Sequence, residues 1–410
     1  MQQLTYIVSG TADAQHQAEQ TKEKLDRIPH IESLLITITA PCEMPLDKAL
    51  RMRDAVREYF PDARILVHTC ALKMADLRLD TDGIMLTFSA FEASRADFFV
   101  VSEHTSEAKE QFENFVAAHP HTKAVEFLVV GLMDQVDDLF ESFSPLDERI
   151  QVFGSFVDAP SMNTHGYLVA DDVVLTRGML VVAFCGKTLE VLVTRNFGWN
   201  TLGREITATR VEGHTVKELD GGVPLKIYER YFGIKDDGNF GVDAALFPLC
   251  FEEADGSVSA RVPLRIEEGT GELTFGLPMQ EGTKFRLAYG DPYGILSKAA
   301  ANARDMSAFS PQAILGTACI GHYLLLGDDV VTEMSPCAGC PSATSFMFGE
   351  VRRVGGHIIT ANLNVLLVGM KEDPGYVKNI QLQTKRVAHL SYNRKMLAFM
   401  SHFIRVSEEE

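Results

Sequence analysis

Cys319, His322, Glu333 and Glu350 lie close enough along the chain to act together, with the amides of Asn362 and Asn364 just beyond. A thiol and an imidazole three residues apart suggest a nucleophile and its base, and the two carboxylates suggest an acid/base pair. Nucleophilic catalysis also needs the base within hydrogen-bond reach and an oxyanion hole, and a spacing of three residues across a turn supplies neither. The constellation is therefore read as non-enzymatic: His322, Glu350 and the two asparagines give a few orienting hydrogen bonds in an apolar pocket, with Cys319 and Gly349 beside them. Cys337-Ala-Gly-Cys340 is the only C-x-x-C. The spacing suits redox exchange or half of a zinc site, but His357 is the nearest further ligand and a second pair is missing, so no metal is expected.

The elements that must position these groups run from Gln312 to Met370. QAILGTAC reads as a buried strand, Gly321 opens a short helix through Leu324, Leu325 and Leu326, and SFMFGEV and IITANLNVLLVGM read as β-rich runs. A strand, a helix and two strands place Cys319 and His322 at the strand-to-helix turn, with Glu350 and Asn364 on or near neighbouring strands.

The same order occurs twice earlier. SLLITIT, a helix led by Asp47, ARILVHTCAL and GIMLTFSAF form one instance. AVEFLVVGL, a helix from Asp134, RIQVFGSFV and GMLVVAFCG form another. A further helix is expected from Thr105 and Ser106 to Pro120. Pro224 and Gly233 bracket a short helix, and KDDGNFG from Lys235 to Gly241 reads as a linker. ALFPLCFEE, VSARVPLRI, ELTFGLPM and TKFRLAY then suggest an antiparallel meander. The fold class that follows is mixed α/β (α+β): two domains on mixed β-sheets covered by helices, with recurring strand-helix-strand-strand units. The expected boundaries are 1–235, 242–372 and a C-terminal helical segment 373–410, helical in pattern over Tyr376 to Val406 and a candidate output connector.

The 410 residues carry a formal charge of −18, and 46% are hydrophobic. So acidic a surface repels nucleic acid and anionic lipid, which excludes both as expected partners. No apolar run approaches the roughly 18 residues of a membrane span, and no signal peptide is evident at the N-terminus. A cytoplasmic location is expected. Seven cysteines, an odd number and mostly within apolar runs, suit reduced core residues.

Motif order carries a family resemblance. Cys319-Ile320-Gly321-His322, Glu333, Phe346-Met347-Phe348-Gly349-Glu350, Asn362 and Asn364 resemble the C-terminal half of the FIST (F-box and intracellular signal transduction) family. Gln151-Val152-Phe153-Gly154 and Gly198-Trp199 resemble its N-terminal domain. His322 stands where the family has Arg, and Ser155 where it has a second Gly. The resemblance implies a bacterial sensory protein that binds a small ligand such as an amino acid and signals to a histidine kinase, chemoreceptor or diguanylate cyclase-type output, in the same chain or separate. Gly154 then offers close backbone approach to the ligand and Trp199 a stacking face; a β-bulge and a core plug are the structural alternatives. Some stand-alone relatives are haem-binding nitric-oxide sensors, which makes haem the alternative ligand with His322 or His165 as axial candidate. A protein-interaction scaffold is the remaining reading.

Overall fold

The computed structural model describes residues 1–101, 107–131, 135–159, 165–377 and 394–409. Expected helix starts at Thr105, Ser106 and Asp134 lie outside them. The first unit comprises β1 (Gln2–Val8), α1 (Thr11–Leu25), β2 (Ser33–Pro41), α2 (Leu46–Arg57), β3 (Arg64–Cys70), the hairpin β4 (Leu72–Ala75) and β5 (Arg78–Asp80), and β6 (Ile84–Phe91). Ala14, Ala18, Thr21 and Leu25 recur at helical spacing, which gives α1 one buried stripe to lay on the sheet.

The second unit repeats the order with β7 (Arg95–Val101), α3 (Ala108–Ala118), β8 (Thr122–Val130), α4 (Val136–Phe143), β9 (Gln151–Phe156), the hairpin β10 (Leu168–Ala170) and β11 (Val173–Leu175), and β12 (Gly178–Cys185). The third opens with β13 (Glu190–Asn196), which is followed by an inserted sheet. That insertion contains β14 (Trp199–Glu212), β15 (Thr215–Leu219), α5 (Pro224–Phe232), α6 (Phe240–Ala244), β16 (Leu249–Glu252), β17 (Val258–Arg261), β18 (Pro263–Ile266), β19 (Leu273–Phe275) and β20 (Lys284–Gly290). The unit resumes with α7 (Pro292–Phe309), β21 (Ala313–Cys319), α8 (Ile320–Leu326), α9 (Val330–Glu333) and β22 (Ser342–Met347). The hairpin β23 (Glu350–Val354) and β24 (His357–Ala361), then β25 (Val365–Lys371), complete it. Asp291 caps α7 by accepting a hydrogen bond from the Tyr293 amide, and Pro292 supplies a pre-set first turn.

Each unit pairs its strands alike: β2 with β3, β8 with β9 and β21 with β22 run parallel across a helical connection, and β6, β12 and β25 lie antiparallel beside the first strand of each pair. The hairpins are exchanged in a cycle. β4–β5 joins the third sheet beside β22, β10–β11 joins the first beside β3, and β23–β24 joins the second beside β9. The expected recurrence is thus present three times. Strand pairing between β9 and β23, between β13 and β25 and between β4 and β22 ties sequence on either side of the 235–241 linker into shared sheets.

The three sheets turn one face inward around a common core that includes Leu35, Leu128, Phe153, Leu180, Met347 and Val368. Their outer faces are covered by α1 and α2, by α3 and α4, and by α7 to α9 with the inserted sheet. The insertion is antiparallel, as expected, but VSARVPLRI is not one strand. Val262 separates β17 from β18, which lie at opposite ends of the seven-stranded order, so the sheet curls until its edges approach. At the C-terminus, α10 (Arg394–Glu409) packs on α5, with Phe403 stacked 5.7 Å from Phe232 and Phe399 edge-on to Phe247 at 5.8 Å. Tyr376 precedes this helix without being part of it, and residues 378–393 of the expected helix lie outside the described set. No helix among the described residues is long and apolar enough to cross a membrane.

Candidate functional site

Cys319 ends β21 and His322 sits in the first turn of α8, as the spacing predicts. Glu350 opens β23, and Asn362, Leu363 and Asn364 form the corner between β24 and β25. The corner is drawn to β21 by the Cys319 amide, which donates to the Asn364 carbonyl at 2.8 Å. Around it the side chains close into a buried polar network. Glu350 accepts from the Asn364 amide at 3.0 Å and lies 3.5 Å from its Nδ2. His322 is fully buried: Nε2 faces the Leu363 carbonyl at 3.1 Å and Nδ1 faces Glu333 Oε2 at 3.0 Å. Asn196 donates to the other Glu333 oxygen at 2.6 Å.

A carbonyl and a carboxylate both accept, so both ring nitrogens of His322 act as donors and the ring is an imidazolium. Burial pulls its pKa down, but the Glu333 carboxylate and the Leu363 carbonyl outweigh burial and the net shift is upward. Both donors of this cation are thus spent inside the protein. Trp199, 4% exposed, lies edge-on to this ring at 4.9 Å. Burial pushes the Glu350 carboxyl up to about 8, and burial followed by the Glu350 charge raises Cys319 well above the ordinary thiol range. A thiol held protonated is a poor nucleophile.

The structure therefore brings Cys319, His322, Gly349, Glu350, Asn362, Asn364 and Trp199 into one neighbourhood, nearly all of it buried. Gly349 leaves the space that Phe156 and the Asn362 amide occupy. Gly154 lies inside the second sheet opposite Val351, where a Cβ would come within 2.1 Å of the Phe127 carbonyl oxygen. Of the two haem candidates, His322 has no free ring nitrogen to offer an iron, and His165 is exposed. Cys337 and Cys340 are buried free thiols, and no cluster of three metal-binding side chains occurs among the described residues.

An open cleft of ≈ 550 Å³ lies next to this network, between α4, β24 and the inserted sheet. One wall presents Asp137, Asp138 and Glu141 of α4 with Thr360 of β24; the other presents Phe251, Glu253 and Arg261. The Thr360 hydroxyl donates to Asp137 at 2.9 Å. Arg261 is held by the Pro278 carbonyl at 2.9 Å and the Ala260 carbonyl at 3.2 Å, with its guanidinium 5.1 Å from the Phe251 ring centre. Those bonds use Nε and Nη1, and Nη2 makes no hydrogen bond among the described residues. Burial lowers the Arg261 pKa, the nearby Asp137 and Glu253 partly offsetting it.

Cleft and network are joined through Arg352 of β23, which donates to Ser259 at 2.8 Å and lies 3.8 Å from Glu253. Arg195 donates to both Asn364 and the Val258 carbonyl, and so spans network and insertion. Sequence reasoning missed Asp137, Asp138, Glu253, Arg261, Arg195 and Arg352. The available signal was an arginine in each of three otherwise β-patterned runs, VLVTRN, VSAR and EVRRV.

Two protein-family models match the chain: the FIST N domain over residues 35–222 and the FIST C domain over residues 224–353. No curated protein matches it.

Proposed function

Because the chain belongs to the FIST family, whose domains are sensory modules of signal transduction, we propose that it binds a small zwitterionic metabolite, an amino acid or close relative, in the cleft between α4, β24 and the inserted sheet. The observation that carries this reading is the opposition of charge across ≈ 550 Å³: a guanidinium with an unused donor on the inserted sheet faces carboxylates on α4. A carboxylate ligand takes Arg261, an ammonium takes Asp138 or Glu253, and Phe251 and Ile358 accommodate an apolar side chain.

Such a ligand contacts both the three-sheet body and the insertion, so it favours the arrangement in which the two approach. Arg352 and Arg195 then couple that arrangement to the buried network of Glu350, Asn364 and His322, which acts as support for the site and not as its contact surface. The signal passes to a partner, a histidine kinase, chemoreceptor or cyclic-dinucleotide enzyme, and α10 on the inserted part is the element it reads. The family is sensory and not catalytic, in keeping with a cysteine held protonated. Calorimetric titration with a panel of amino acids tests the proposal. Saturable binding of at least one, weakened at least tenfold in Arg261→Gln, is expected; no binding by the panel leaves the interaction scaffold as the surviving reading.

A further inference from the structure

The inner faces of the three sheets are not uniformly apolar. On β8, Ala124, Leu128 and Val130 point into the common core, and Glu126 occupies the same face between them. Opposite it, β2, β6 and β22 turn Thr37, Thr39, Thr87, Ser89 and Ser345 inward, and together with Glu126 they line a small, partly open cavity of ≈ 40 Å³ between the sheets. A cavity needs only about 10–15 Å³ to admit one water, so this one has room for a small ion with a water or two.

Four of these oxygen-bearing side chains are unused. Thr87 Oγ1 is buried without a partner, and Glu126, Thr37 and Ser345 make no side-chain hydrogen bond among the described residues. The neighbouring bases are occupied. His68 directs Nδ1 at the Thr69 carbonyl at 3.1 Å and Nε2 at the Thr39 hydroxyl at 3.0 Å. It donates through Nδ1 and accepts through Nε2, a neutral ring that brings no charge to Glu126. Lys73 is spent on the Thr81 carbonyl at 3.1 Å and Asp80 at 3.8 Å. Burial alone pushes the Glu126 carboxyl up to about 7, with no neighbouring charge contributing. A half-buried carboxylate in such surroundings is favoured in its ionised form by a countercharge.

We propose that the interior of the three-sheet body is a monovalent-cation site, with the Glu126 carboxylate and the Thr37, Thr87 and Ser345 hydroxyls as its ligands. The donors are all oxygen, which selects hard cations over thiophilic metals. A single carboxylate balances one positive charge, and hydroxyl and carboxylate oxygens can coordinate Na⁺ or K⁺ directly but not a quaternary ammonium ion, whose alkyl groups shield its charge. The site is separate from the cleft. Its ligands come from all three sheets, so the ion adds a tie to those the exchanged hairpins already make and acts as a stabilising ligand of the folded state.

The test uses the full chain at pH 8, where Glu126 is ionised. Thermal unfolding is followed in NaCl, KCl and choline chloride at equal ionic strength. A saturable rise in midpoint with Na⁺ or K⁺ over choline, about 2 °C at ten times the dissociation constant, is expected in the wild type and absent in Glu126→Gln. Broadening of the ²³Na resonance by the wild-type protein, reversed by excess of a competing alkali cation, reads binding without any variant. Thr87→Val should weaken that binding about tenfold. Equal midpoints in all three salts together with an unbroadened ²³Na line would show a cavity holding water only and would overturn the proposal, as would an undiminished cation effect in folded Glu126→Gln.

Discussion

Replacing Glu350 with glutamine should remove a pH dependence that the wild-type fold carries. Glu350 is fully buried: Oε2 accepts from the Asn364 amide at 3.0 Å, while Oε1 has no partner. Burial lifts its pKa from 4.5 to about 8. The folded state therefore holds a proton that the unfolded chain releases above about pH 4.5, and the stability this confers is lost as pH rises toward the folded value. At about 1.4 kcal/mol per unit, the span comes to roughly 5 kcal/mol. Above pH 6.5 the opposing dependence from His68 has ended, since burial holds that ring at about 4, below its ordinary 6.5. Between pH 6.5 and 8, Glu350→Gln should gain about 2 kcal/mol relative to wild type, whatever its absolute offset. Urea denaturation at a series of pH values reads the difference. Parallel wild-type and variant profiles across that window would refute the reasoning.

Further predictions rest on other contacts. Below pH 6.5 the sign reverses for His68: the unfolded chain binds the proton first, stability falls as pH drops toward 4, and His68→Gln should remove roughly 3 kcal/mol of that dependence in the same titration. Gly154→Ala places a Cβ 2.1 Å from the Phe127 carbonyl oxygen and should cost about 3 kcal/mol or more in chemical denaturation. His322→Ala leaves the Glu333 carboxylate buried without its cation and should destabilise by about 3–5 kcal/mol. Phe403→Ala removes the ring stacked on Phe232, and hydrogen exchange should quicken in α10 and α5 while the three sheets keep their protection.

Much of this architecture is legible locally. Runs such as GIMLTFSAF and AVEFLVVGL announce strands by β-branched and aromatic content, and the small residues before Gly321 locate the turn that sets Cys319 beside His322. The cyclic exchange of hairpins is not legible, because β4 pairs with β22 across most of the chain and nothing in LKMA specifies that partner. The break at Val262 is equally tertiary: curling of the inserted sheet overrides a pattern that reads as one strand. Arg261 was overlooked because a charged residue at alternate spacing in a strand ordinarily faces solvent. Glu126, a lone acid within an apolar run, did carry a readable sign of a polar interior.

Isothermal titration of wild type and Arg261→Gln with the amino acid that binds best tests most directly whether the charged cleft takes the ligand. The prediction is saturable one-to-one binding lost or weakened at least tenfold in the variant, with a cooperative unfolding transition in both empty proteins. Equal affinity of both proteins would contradict it and place the ligand elsewhere.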